Sequence, residues 1–210
     1  MRYIKSHVVR AVALSVATLF FSCKQSTDVS SPVINISDPS SEAITLTSQA
    51  WAAFENKDYL HAEDLFSQAI QSNDLYADAY NGLGWTFGRL DSMRKALQYF
   101  DVSLGLSPGF IDAYAGRSLV SLALGKYQDA ITAVTIVQEF SSGFYAFRHD
   151  PKISMNDLLL VKAQSYFMLN DYPSAQVLIN QLDPHNQLDP LKPSYVEDLA
   201  LEIENLWKQI

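Results

Sequence analysis

The sequence predicts an all-α solenoid of about four helix–turn–helix units closed by a C-terminal capping helix. Three observations carry that expectation. Residues 43–76 and 77–110 align on one another at a spacing of 34 with no gap, and a fixed period of this length marks stacked helix pairs. Small residues recur at set points: Ala62, Ala96, Ala130 and Ala175 all fall at position 20 of their units. Apolar residues follow helical spacing throughout, and no alternating strand run of any length occurs. A repeat array buries its apolar faces only between neighbours and presents extended surface. The expected function is therefore binding, and no catalytic centre is expected.

Taken in chain order, the first element is a leader. Arg2, Lys5 and Arg10 precede an apolar run from Ala11 to Phe21, which is too short to span a bilayer as a helix. Ser22 and Cys23 follow, and Cys23 is the only cysteine, so no intramolecular disulfide can form. Residues 1–22 with Cys23 resemble a bacterial lipoprotein signal, which implies cleavage before Cys23, lipidation of Cys23 and attachment to a membrane of the cell envelope. The outer membrane is the expected one, facing either way. Residues 24–42 are rich in Ser, with Pro32 and Pro39 and few large apolar groups. Together with Cys23 they read as a 23–42 tether, with a reach on the order of 25 Å.

The repeats begin at residue 43. Helices are expected at about 43–56 and 59–72 for the first unit, 77–90 and 93–106 for the second, 111–124 and 127–140 for the third. The fourth unit, degenerate and spanning 156–189, gives 156–169 and 172–182. Asn56-Lys57-Asp58, Asp91-Ser92, Gly125-Lys126 and Asn170-Asp171 break the chain between paired helices. In the second unit Tyr80, Leu83, Gly84, Phe87, Ala96, Phe100 and Pro108 occupy positions 4, 7, 8, 11, 20, 24 and 32. This pattern resembles the tetratricopeptide repeat (TPR) family, which implies a stack of helix pairs serving as a scaffold for a partner. Gly84 and Ala96 are small enough for paired helices to approach closely, and Pro108 stops the second helix. Arg117 and Lys162 stand at position 7 of the third and fourth units, near the usual core, and must find partners or snorkel outward.

Two segments break the period. Residues 141–155 are extra and hold Phe144, Tyr145, Phe147, Arg148, His149 and Asp150. Long insertions in compact arrays are uncommon. The aromatics are expected either to fold back and plug a gap or to contact a ligand, the former being preferred. Residues 193–209 place Val196, Leu199, Ala200, Ile203 and Leu206 at helical spacing behind a Ser194/Glu197 capping box, as the closing helix of a solenoid needs.

Composition excludes several classes. The chain of 210 residues has a net charge of −8, and loss of the three cations in residues 1–22 leaves −11. Such a body repels phosphate backbones, so nucleic acid is not an expected partner, and no run of Lys or Arg suggests a basic patch. The histidines His7, His61, His149 and His185 show no metal-ligand spacing, and the chain has no phosphate-binding glycine loop. No catalytic residue, metal or cofactor is expected, and oligomeric state stays open.

In the TPR resemblance the concave face is lined by positions 2, 5, 9, 12 and 13 of each first helix. Mapped here, the groove residues are Trp51, Phe54, Asp78, Asn81, Trp85, Arg89, Asp112 and Gln164. Trp51 and Trp85 share position 9 of consecutive units and are expected side by side as exposed anchors, with Arg89 and Asn81 beside them. The leading expectation is a lipid-anchored adaptor that binds a protein or peptide. The alternative is a small-ligand or glycan-binding lipoprotein, with Trp51, Trp85 and the insertion stacking on flat groups.

Overall fold

The computed structural model describes residues 39–209. The leader, Cys23 and most of the 23–42 tether therefore lie outside the described residues. Nine helices occur among the described residues: α1 (Pro39–Glu55), α2 (Tyr59–Ser72), α3 (Ala77–Arg89), α4 (Met93–Leu106), α5 (Ile111–Ala123), α6 (Tyr127–Phe140), α7 (Met155–Met168), α8 (Tyr172–Leu182) and α9 (Tyr195–Gln209). They pack as the pairs α1/α2, α3/α4, α5/α6 and α7/α8, and α1, α3, α5 and α7 touch in succession. This is the TPR-type solenoid that the sequence predicts. The first helix starts at Pro39, so the tether ends earlier than the boundary at 42. Proline fits the first turn of a helix because its missing N–H would have no partner there.

The period is written in the turns. Lys57, Asp91 and Gly125 are spaced by 34 and all adopt left-handed backbone, with φ of 64°, 56° and 71°. Asn170 repeats the conformation at 61°. One residue further on, the amides of Asp58, Ser92, Lys126 and Asp171 donate to Ala53, Phe87, Ser121 and Tyr166 carbonyls at 2.8–2.9 Å. A reversal of this kind satisfies carbonyls that a helix end would otherwise orphan.

The seams between units rest on phenylalanine against glycine. A Cβ at Gly82 would lie 2.2 Å from the Phe66 ring, and one at Gly116 would lie 2.2 Å from the Phe100 ring. Phe66 and Phe100, both at position 24, thus seat on the position-6 glycine of the next unit. Gly84 also meets Phe100, at 2.6 Å for an added Cβ. The polar intrusions are paired as required. Arg117 Nε donates to Asp101 at 2.8 Å, and Lys162 Nζ donates to Gln138 Oε1 at 2.8 Å. Burial holds the Lys162 amine below its ordinary pKa.

Residues 141–154 form a short hairpin joining α6 to α7. Ala146 and Ser154 make an antiparallel bridge, with Phe147 N donating to Ile153 O at 2.8 Å and Met155 N to Tyr145 O at 2.9 Å. Ser154 then starts α7, its amide and hydroxyl donating to the Asp157 carboxylate at 2.7 and 2.6 Å. At the far end α9 buries Leu199 and Ile203 against α7 and α8. The Ser194 hydroxyl, just before α9, donates to the Asp198 carboxylate at 2.9 Å, a side-chain contact in place of the expected Ser194/Glu197 capping box.

Candidate functional site

The hairpin lies on the concave ends of α1 and α3. Its Phe147 is fully buried, stacked on Trp85 at 4.0 Å and edge-on to Trp51 at 5.9 Å. His149 stacks flat on Trp51, with centroids 3.9 Å apart and planes 2° apart. Trp51 and Trp85 are brought together as their shared position predicts, but Phe147 sits against both. Their exposures of 3% and 5%, with Phe54 at 3% and Asn81 at 1%, correct the expectation of open anchors in a groove. Apolar rings left in water on facing helices draw in any nearby aromatic, and the insertion supplies one.

The polar groove residues bind the hairpin and one another. The Trp51 indole N–H points at both Asp78 oxygens at 3.3 Å, and Asn81 Nδ2 donates to Asp78 at 3.4 Å. Tyr145 donates its hydroxyl to Asp112 Oδ1 at 3.0 Å. Burial pushes the Asp112 carboxyl above its ordinary pKa, against the lowering effect of the Tyr145 bond. Burial also pushes the Tyr145 hydroxyl far up, with Asp112 adding to the shift, so Tyr145 remains a neutral donor. Arg89 forms an ion pair with Asp150 of the hairpin. Gln164 belongs to a different place, accepting from the Trp207 indole at 2.6 Å beneath α9. The Trp85 indole N–H and the Asn81 amide oxygen are buried without partners.

His149 is the centre of a second chain of contacts. Arg148 approaches its Nε2 with Nε at 3.3 Å and Nη2 at 3.0 Å. A guanidinium carries no acceptor, so Nε2 must accept and the ring proton stands on Nδ1. Nδ1 then donates to Glu55 Oε1 at 2.8 Å. Glu55 thus fixes His149, and His149 fixes the Arg148 guanidinium.

What remains open is a cleft of about 690 Å³ between the α1–α2 turn and the hairpin tip. Phe54 and Tyr59 give it apolar lining, and Lys57, Arg89, Arg148 and Lys152 give it four cations. Its two carboxylates, Glu55 and Asp150, are already engaged by His149 and Arg89. Across Arg148 and His149 lies a second cavity of about 460 Å³, which the buried and unpartnered Thr47 helps to line. A third, of about 210 Å³, is apolar and lies behind Trp85.

Of the eight groove residues, Trp51, Phe54, Asp78, Asn81, Trp85, Arg89 and Asp112 lie beneath or beside the hairpin, and Gln164 does not. The sequence has no run of Lys or Arg, yet the fold gathers four cations at one cleft. Lys57 and Arg148 are far apart in sequence, so no run of basic residues announces them. The available signal is Arg148 and Lys152 in an aromatic insertion of an acidic chain.

No family model matches the chain. A protein SGT1 homolog from Oryza sativa subsp. japonica is 29% identical over 101 residues, or 48% of this chain, which spans only 28% of that relative. Among solved structures, MamA superposes with a TM-score of 0.56 at 16% identity, covering 83% of this chain and 85% of that one. YrrB, described as a TPR protein with an unusual peptide-binding site, gives 0.57 at 16% identity, with 78% and 74% covered. A tetratricopeptide repeat protein from Parabacteroides merdae ATCC 43184 gives 0.55 at 14%, with 80% and 61% covered. At these identities the likeness shows the TPR fold.

Proposed function

We propose that the chain is a lipid-anchored scaffold of the bacterial cell envelope that holds a protein or peptide partner in the cleft walled by the hairpin. The cleft carries this reading: it is formed before any partner arrives, its aromatics are packed in place, and Arg89 and Arg148 are held by Asp150 and His149. A pre-formed site loses little ordering entropy on association. YrrB, on the same fold, is described as having an unusual peptide-binding site. The anchor rests on the lipoprotein-like segment ending in Cys23. No helix among the described residues is long and apolar enough to cross a membrane.

The glycan alternative loses its main support. Sugar stacking needs an open aromatic face, yet His149 covers Trp51 and Phe147 covers Trp85. A photo-crosslinking residue at Pro151, exposed at the hairpin tip and lining the cleft, tests the scaffold reading in cells. Leu201, exposed on α9, provides the control position. Discrete protein adducts from position 151 and none from 201 are expected. Adducts from neither position, or the same ones from both, would overturn the reading.

A further inference from the structure

Resting on that scaffold reading, we propose that the cleft seats an acidic peptide segment, with Arg148 gripping a carboxylate and Lys57 and Lys152 flanking it. The first support is charge. The chain has 15 Lys and Arg against 23 Asp and Glu, yet four cations line this cleft against two carboxylates, Asp150 paired with Arg89 and Glu55 accepting from His149, an excess of two positive charges. Lys57, Arg148 and Lys152 form no ion pair with a carboxylate among the described residues. On a surface this acidic, cations left free in a concavity mark the place where an outside anion is most stabilised.

The second support is construction. A solvated arginine samples many rotamers, but Arg148 is held through two nitrogens by an imidazole that is itself 8% exposed. That ring is clamped by Glu55 and stacked on Trp51. Two of the five guanidinium N–H groups are used, which leaves three for a ligand. A planar guanidinium held in this way suits bidentate capture of a carboxylate. Phe54 and Tyr59 offer apolar contact to the side chain next to that carboxylate.

The third support selects the ligand class. At physiological salt, charges more than about 8 Å apart are largely screened, so a short acidic segment feels the local cations more than the acidic body. A long polyanion such as a nucleic acid would extend over the acidic helices and be repelled. The gripping cations Lys57, Arg148 and Lys152 come from a turn and a hairpin. Trp51, Glu55, Trp85 and Arg89, at first-helix positions 9 and 13 of the first two units, are occupied by internal contacts.

The test is fluorescence anisotropy with the full chain in neutral detergent. The probes are fluorescein-labelled hexaglutamate, hexaglutamine and hexalysine peptides and a single-stranded oligodeoxynucleotide. Hexaglutamate is expected to bind at least tenfold more tightly than hexaglutamine or hexalysine and to weaken as salt rises. The double variant Arg148→Gln/Lys152→Gln should lose at least tenfold in hexaglutamate affinity with its thermal melt unchanged. Should the double variant fail to fold, Lys152→Glu alone, at the exposed tip, is expected to lose severalfold. Equal binding of hexaglutamate and hexaglutamine, variants indistinguishable from the native chain, or tighter binding of the oligonucleotide would each overturn the acidic-peptide seat. The position-151 crosslink, which keeps every cation, separates the two ideas: adducts without a preference for hexaglutamate remove the seat and leave the scaffold, whereas loss of adducts removes the scaffold.

Discussion

Phe100 and Phe147 are both fully buried, yet they reach the core by different routes. Phe100 projects from α4 at a fixed point of the repeat and fills the space left by Gly84 and Gly116 on the helices beside it. Its partners lie within about half a repeat of it in sequence, and the period dictates them. Phe147 comes from a segment outside the period and docks on Trp85 and Trp51. Those partners lie much further back along the chain, in the first two units. Repetition thus builds the stack, and a departure from repetition decides which part of its concave side is closed and which is left as a cleft.

The largest expected effect tests whether the two phenylalanines are equal in weight. Phe147→Ala and Phe100→Ala should each cost about 3–5 kcal/mol in urea unfolding, the usual loss for a buried aromatic cut to alanine. They should differ in fluorescence. Phe147→Ala uncovers Trp51 and Trp85 and should raise acrylamide quenching well above the Phe100→Ala level. A cost below about 1 kcal/mol for Phe147→Ala would mean that the hairpin is a loose cover and that the comparison fails.

The same contrast explains what is legible in the sequence. Helix positions follow from the 34-residue period and from breakers such as Asp91 and Gly125, so α2 to α8 fall within a residue or two of expectation. Gly84 against Phe100 is readable because both hold fixed points of the pattern. The burial of Trp51 and Trp85 is not, because it depends on a loop whose path no period constrains. Aromatic content announces that the insertion folds back, but no local rule says which rings it meets. Asp157, which caps α7, escapes a sequence reading for a related reason: the start of α7 is set by the hairpin's exit at Ser154.

A smaller effect concerns the hairpin's polar attachment. Tyr145→Phe removes the donor to Asp112 and leaves a half-buried carboxylate with one bond fewer. The expected cost is about 1–3 kcal/mol, the penalty for stripping a partner from a buried polar group. Because that bond acts to lower the Asp112 pKa, its loss should raise the pKa further. The variant's deficit at neutral pH should therefore exceed its deficit in acid. An equal deficit at every pH would show that the hydroxyl acts by packing alone.

The smallest effect concerns Asp112 itself. Burial makes the folded-state pKa of Asp112 higher than the unfolded-state value, with the nearby Asp78 charge adding to the rise. The folded chain therefore holds this proton more tightly. The favourable contribution of the group is complete below the unfolded pKa and disappears as pH climbs through the folded one. At neutral pH the fold bears the cost of an ionised, partly desolvated carboxylate. Asp112→Asn removes that charge, while its amide oxygen can still accept from Tyr145. The substitution should be stabilising near pH 7, and its advantage should shrink as pH falls through the carboxylate range. Urea midpoints taken at a series of pH values from about 7 down to about 4 measure this directly. A destabilised Asn variant at neutral pH would mean that the Asp112 charge is itself an attractive partner of Arg148, whose charge acts to lower its pKa. The hairpin would then be held by charge across the cleft wall, and the neutral bond to Tyr145 would be secondary.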